Sequence, residues 1–281
     1  MKLTNKLMTG VATAAIAMTS ALPALAAEKW DMPMAYSASN FHSENGMAFA
    51  KCVTDGTAGE IEITVHPGGS LIAGADIKRA IQTGQVQLGE RLLSGHQNEN
   101  ALFGFDSIPF LAPSFDDSDK LWKAAKPKIE ELLAEQNLTL LYNVPWPPQG
   151  LYFKKDVNSV EDTTGYDQKV WESLTNFYEV DAWLPRNYVM VNNDVWSDVS
   201  DANKDIITTC ATEAEARGLQ ASKDYTEFTY DGLREGGMKV EPASEELMTG
   251  LRAVGDTMTS EWLESSGDDG QTIVDGYKSM Q

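Results

Sequence analysis

Positive charge is scarce in this chain: 22 lysines and arginines stand against 42 acids, for a formal net charge of −20. A surface so acidic repels phosphate backbones and anionic lipid heads, which excludes nucleic acid and membrane surfaces as partners. Its plain structural meaning is solubility. Histidine is scarcer, and no second histidine lies at metal-ligand spacing from His42, so no metal site is expected. No HExxH, GxGxxG, P-loop or CxxC occurs, and Gly68-Gly69-Ser70-Leu71-Ile72 lacks the last glycine of a nucleophile elbow. The chain therefore offers no enzyme motif and no cofactor site. Past Leu25, no uninterrupted apolar run is long enough to cross a bilayer. Cysteine is limited to Cys52 and Cys210, whose spacing is that of neither a metal site nor a redox motif.

What is present begins with an export signal. Lys2 and Lys6 precede an apolar stretch from Val11 to Leu22, and Ala24-Leu25-Ala26 supplies the small residues a signal peptidase needs. Residues 1–26 are expected to be removed, leaving a soluble periplasmic protein without direct membrane insertion. In that oxidising compartment an even cysteine count permits one disulfide, Cys52 to Cys210; two small buried residues are the alternative.

Hydrophobic periodicity then reads as α/β. Trp30 to Ala35 and Glu60 to His66 alternate as strands around a helix capped by Ser43, running to about Asp55. A helix is expected from Asp116 to Gln136, kinked or split by Pro127. Leu138 to Val144 is a strand ending in the rigid loop Pro145-Trp146-Pro147-Pro148-Gln149-Gly150, which releases the strand Leu151 to Lys154. Phe177 to Asn193 is aromatic and β-branched, as one long strand crossing between lobes would be. Asp201 to Glu235 is a long helix stopped by Gly236-Gly237; Ser244 opens another, and Asp268-Asp269 the last.

The densest signal is Ile77 to Leu111, IKRAIQTGQVQLGERLLSGHQNENALFGFDSIPFL. Ile77, Ala80 and Ile81 repeat at helical spacing, Gly84 ends the helix, and Gln85 to Leu93 alternates as a strand delivering Glu90 and Arg91 to its carboxyl end. This stretch resembles the signature of the TRAP-type (tripartite ATP-independent periplasmic) solute-binding proteins, with their QTGQ…GE run before an apolar FG…S.PFL loop. The resemblance extends from Trp30 through PWPPQGLYFKKDVNSVED and resumes at TTGYDQKVWESLTNFYEVDAWLPRNYVMVN. It implies a type II periplasmic-binding-protein-like α/β fold, two lobes joined by hinge strands and a long helix. The first lobe spans residues 27–150; residues 151–281 hold the hinge strands, the second lobe and the C-terminal helices, with part of 177–235 packing on or spanning the first lobe.

Between Asp162 and Thr163 the family pattern is interrupted. Relatives continue there with a strand carrying a signature arginine; here roughly 50 residues of pattern, about two βαβ-sized steps, are absent. The second lobe is expected to be depleted, weakly protected around residues 155–174, and to leave Val189, Met190 and Val191 on an unpaired edge.

The resemblance implies capture of a small organic acid and its delivery to TRAP membrane subunits, without catalysis. With the signature arginine missing, Arg91 and Arg186 remain as candidate anion partners. Alternation turns one of Glu90 and Arg91 to the cleft, and Glu90 is favoured there as an acceptor for a substrate hydroxyl. Trp146 and Gln149 match a cleft wall, Trp183 the opposite wall, and Tyr36, Asn40, Phe41 and His42 a cleft-facing turn. Core packing is the alternative for the tryptophans, and helix capping for His42. A binding-impaired remnant and a periplasmic ligand sensor are the competing functions.

Overall fold

The computed structural model describes residues 27–154 and 174–281. The expected signal peptide and the junction at Asp162-Thr163 lie outside them.

The first lobe opens with β1 (Glu28–Pro33), α1 (Phe41–Gly56) and β2 (Ile61–His66), the two strands pairing in parallel. Asn40 rather than Ser43 caps α1: its side-chain oxygen accepts the His42 N–H at 3.0 Å. A short helix α2 (Ile77–Gln82) leads into β3 (Leu88–Leu92), and a 3₁₀ helix (Ala101–Ser107) occupies the apolar segment that follows. Helix α3 (Phe115–Glu135) contains Pro127 and still runs as one helix, against the expectation of a break. It is followed by β4 (Leu138–Pro145) and β5 (Leu151–Phe153).

The single long strand expected over Phe177–Asn193 is two strands. They are β6 (Asn176–Glu179) and β7 (Arg186–Asn192), interrupted where Asp181 takes a positive φ of 47° and Pro185 lacks a donor. β7 is not an edge: it lies between β3 and β4, antiparallel to both, and Val189, Met190 and Val191 are fully buried. Because helices and loops cover both faces of this sheet, β7 is buried at every position, and its Tyr188–Val191 run is apolar on both faces rather than alternating. A second sheet orders β5–β6–β8, with β8 at Lys239–Pro242. The short α4 (Asn193–Asp198) precedes the two long helices, α5 (Asp201–Glu235) and α6 (Glu245–Lys278), the latter interrupted by a non-helical Gly267 just before the expected restart.

Two chain segments cross between the sheets side by side. The Trp146 N–H donates to the Pro185 carbonyl at 2.7 Å, Gln149 N–H to Trp183 O at 3.0 Å, and Ala182 N–H to Gln149 O at 2.9 Å. Helix α5 forms a third connection, buried against β4 and α1 through Cys210, Ala211 and Ala214 and, at its other end, against the second sheet through Leu233. Cys52 on α1 and Cys210 on α5 are disulfide-bonded, with Cα atoms 5.8 Å apart across 158 residues of sequence. Asn45, two turns earlier on the same face of α1, donates to Ala214 O and accepts from Arg217 Nε at 2.8 Å, so the same helix pair is tied twice.

Candidate functional site

The period of two along β3 and β7 sorts the candidate residues. Leu88, Glu90 and Leu92 share a face with Asn187, Val189 and Val191, turned toward α1 and α5; Arg91, Arg186, Tyr188 and Met190 turn toward α3. The two faces therefore receive different polar clusters.

On the α1/α5 face, Glu90 is buried and accepts from Asn187 Nδ2 at 2.9 Å, while His42 Nδ1 lies 3.7 Å from its other oxygen. With its amide nitrogen committed to Glu90, Asn187 presents its oxygen to Trp146 Nε1, which donates to it at 2.9 Å. The Trp146 ring is boxed by Tyr36, His42 and Phe41, with centroids 4.7, 4.3 and 5.4 Å away, and Phe41 leads on to Tyr225 of α5 at 5.1 Å. Burial, reinforced by the Glu90 carboxylate, pushes the Tyr36 hydroxyl up to about 12, Arg91 and the Asn187 bond opposing. Tyr36 is thus a neutral hydroxyl at any physiological pH.

Above this cluster opens a cavity of about 350 Å³, between the crossing segments and α5. Trp146, Pro147, Pro148 and Pro185 form one side, Tyr36 and Leu92 the floor, and Tyr152, Phe177, Tyr225 and Tyr230 the rest, with Gln149, Thr226 and Thr229 as the neutral polar groups. A Cβ at Gly150 would run into the Phe177 ring, so only glycine lets this loop approach it. Among the described residues, none that lines the cavity carries a charge. A second groove of about 770 Å³, between the segment 109–117 and α6, touches none of the residues singled out from the sequence.

Of those, the structure gathers Tyr36, Phe41, His42, Glu90, Trp146 and Gln149 at one place. Asn40 caps α1 beside them without lining the cavity. Trp183 lends its carbonyl to Gln149, but its ring packs on the second-lobe core with Leu151, Tyr178 and Leu247. Arg91 donates from Nε to His96 Nε2 at 3.1 Å, and His96 in turn pairs with Glu99. The Arg186 side chain does not line the cavity, although Pro185 beside it does. Its guanidinium is buried on the α3 face, donating to Asn143 Oδ1 at 2.6 Å and Ser118 Oγ at 3.1 Å, while its backbone N–H and the Tyr188 hydroxyl both donate to Asp106 Oδ2. Burial raises Asp106 to about 6, the Arg186 charge and these bonds opposing it, and burial lowers Arg186.

Sequence reasoning missed Asn187 and the α5 face Tyr225, Thr226, Thr229 and Tyr230. The signal was there: a helix otherwise rich in alanine, threonine and acids concentrates its aromatic residues in one stretch, DYTEFTYDG. Among the described residues no group of three or more His, Cys, Asp or Glu is placed to hold a metal ion, and no helix is long and apolar enough to cross a membrane.

The profile of bacterial extracellular solute-binding protein family 7 (DctP) matches residues 34–176 and 161–265. No curated protein matches the chain. Among solved structures, a marine metagenome TRAP solute-binding protein from an unidentified microbe, specific for pyroglutamate, is 43% identical. The alignment covers 90% of this chain and 99% of that one, with a TM-score of 0.86. DctP6 of Bordetella pertussis, an extracytoplasmic solute receptor binding pyroglutamic acid, is 33% identical over 89% of this chain and 99% of its own, also at 0.86. The periplasmic ectoine-binding protein of the Halomonas elongata TeaABC TRAP transporter is 15% identical over 90% and 98%, with a TM-score of 0.80, which speaks for the fold alone. By the reach of the profile match and by its likeness to these structures, the chain belongs to the bacterial extracellular solute-binding protein family 7, the TRAP solute-binding proteins.

Proposed function

We propose that the chain is a periplasmic receptor for a small ring-shaped organic acid of the pyroglutamate class, passing it to TRAP membrane subunits rather than transforming it. The observation that carries this reading is the aromatic and proline-walled cavity over the Glu90–Asn187–Trp146 cluster. Flat apolar walls suit a compact ring, and neutral hydroxyls and amides suit a lactam's N–H and C=O. Pyroglutamate, bound by the relatives at 43% and 33% identity, has that shape and those groups. Export follows from the amino-terminal pattern and from the family.

A second reading, a receptor whose binding is weakened, is favoured by the absence of any cation among the described residues lining the cavity. Losing one charge-assisted contact to a carboxylate costs on the order of 2–5 kcal/mol. Thermal-shift measurements with L-pyroglutamate, succinate, L-malate and gluconate test the proposal. A rise in Tm with pyroglutamate that grows with its concentration, and none with the open-chain acids, supports it. No shift with pyroglutamate at millimolar concentration refutes it.

A further inference from the structure

Several polar groups that line the cavity are engaged elsewhere. Thr226 Oγ1 turns back on its own helix, donating to Ser222 O at 2.9 Å, and Gln149 Nε2 donates to Pro147 O at 2.9 Å. The Tyr36 hydroxyl bonds Asn187 on the floor, and the Thr229 oxygen is sealed inside the protein. Tyr230 differs from all of these. It lines the cavity from α5, is half-buried, and its hydroxyl is neither sealed nor hydrogen-bonded to any described residue. A phenol hydroxyl stands too far out to reach the carbonyls of its own helix, as the threonine hydroxyls here do.

The Tyr230 ring is nevertheless held in place. Its centroid lies 5.3 Å from that of Phe177, and the Arg234 guanidinium covers it at 5.9 Å, itself paired with Glu179 at 3.5 Å and Asp231 at 3.2 Å. The hydroxyl is therefore a pre-aimed donor that water can serve while the cavity is open. A solute that fills the cavity must replace that bond or leave the donor unpaired. Burial, then the charges of Asp181 and Glu179, hold this hydroxyl neutral, above its ordinary range. Asp181, which no described cation neutralises, also repels a carboxylate at this end of the cavity, so the neutral edge of the solute is the one that suits Tyr230. Resting on the reading of this cavity as the solute site, we propose that Tyr230 is a specificity-determining residue, its hydroxyl donating to the ring C=O of the bound lactam. A carbocyclic acid of the same size without that carbonyl gains nothing from it.

Calorimetric titration of the whole mature protein with three acids of one ring size tests this. They are L-pyroglutamate, the matching enantiomer of 3-oxocyclopentanecarboxylate, which keeps the ring C=O and lacks the N–H, and cyclopentanecarboxylate, which lacks both. The wild type is expected to bind them in that order of affinity. Tyr230→Phe keeps the ring against Phe177 and Arg234 and removes the hydroxyl alone. It should weaken the two carbonyl-bearing acids alike, about tenfold, leave cyclopentanecarboxylate unchanged, and melt with the wild type in the absence of ligand. Tyr277→Phe, in the second groove, should change no affinity. Equal weakening of all three acids, no weakening of the two that carry the carbonyl, or a lowered Tm of ligand-free Tyr230→Phe would overturn the role while leaving the solute reading intact. If the wild type binds none of the three, the solute reading fails and the role fails with it.

Discussion

Asn187 Nδ2 donates to the buried Glu90 carboxylate at 2.9 Å, and that bond fixes which way the Asn187 oxygen points. The oxygen meets the indole N–H of Trp146, so a buried carboxylate on the edge strand β3 sets the position of the cavity wall. Replacing Asn187 by leucine strips Glu90 of its donor and Trp146 of its acceptor. We expect Asn187→Leu to lose roughly 2–4 kcal/mol of stability and to broaden and shift the Trp146 fluorescence. Unfolding in urea with tryptophan emission as the probe checks both, and a wild-type midpoint with an unchanged spectrum would show that the relay is idle.

The disulfide between Cys52 and Cys210 staples α1 to α5 across 158 residues of sequence. In the chain-entropy picture a loop of that length restricts the unfolded state by roughly 5 kcal/mol. Reduction should therefore lower Tm markedly, and Cys52→Ala should reproduce the reduced protein. Two free thiols per chain in the denatured, unreduced protein would contradict the pairing.

Asp106 gives the protein a pH signature. Its carboxyl titrates near 6 in the folded state against an ordinary 3.8, because burial disfavours the charge more than Arg186 restores it. Between these values the folded chain holds a proton that the unfolded chain has released. The associated stability is complete below about pH 4 and is lost as pH rises through 6, amounting to about 3 kcal/mol for two units. Asp106→Asn removes this dependence. The difference in unfolding free energy between wild type and variant should therefore fall, in the wild type's disfavour, from pH 4 to pH 7; a constant difference would mean that Asp106 is ionised throughout.

Much of this molecule is legible in its residues, and the failures have physical causes. The bounds of α5 and the restart at Asp268 follow from composition and glycine placement, which are local. The pairing of Cys52 with Cys210 and the central place of β7 depend on contacts far apart in sequence, which local patterns do not encode. A fully buried strand reads the same whether its neighbours are present or absent, so Val189 to Val191 look like an orphaned edge when they are the centre of a sheet. Arg186 misleads for a similar reason. One residue of register decides that Asn187 faces Glu90 and Trp146 and Arg186 faces α3, and the break at Val180 to Pro185 that sets this register is tertiary. Pro127 does not interrupt α3, which buries Leu121, Ala125, Ile129 and Leu133 along one continuous stripe that spans it.

The most direct test of the account is a calorimetric titration of the mature, oxidised protein with L-pyroglutamate beside succinate, L-malate and gluconate. Saturable one-to-one binding of pyroglutamate alone is expected, with a Kd weaker than micromolar because no cation lines the cavity among the described residues. Equal or tighter binding of an open-chain acid, or no heat with pyroglutamate at any attainable concentration, would contradict it.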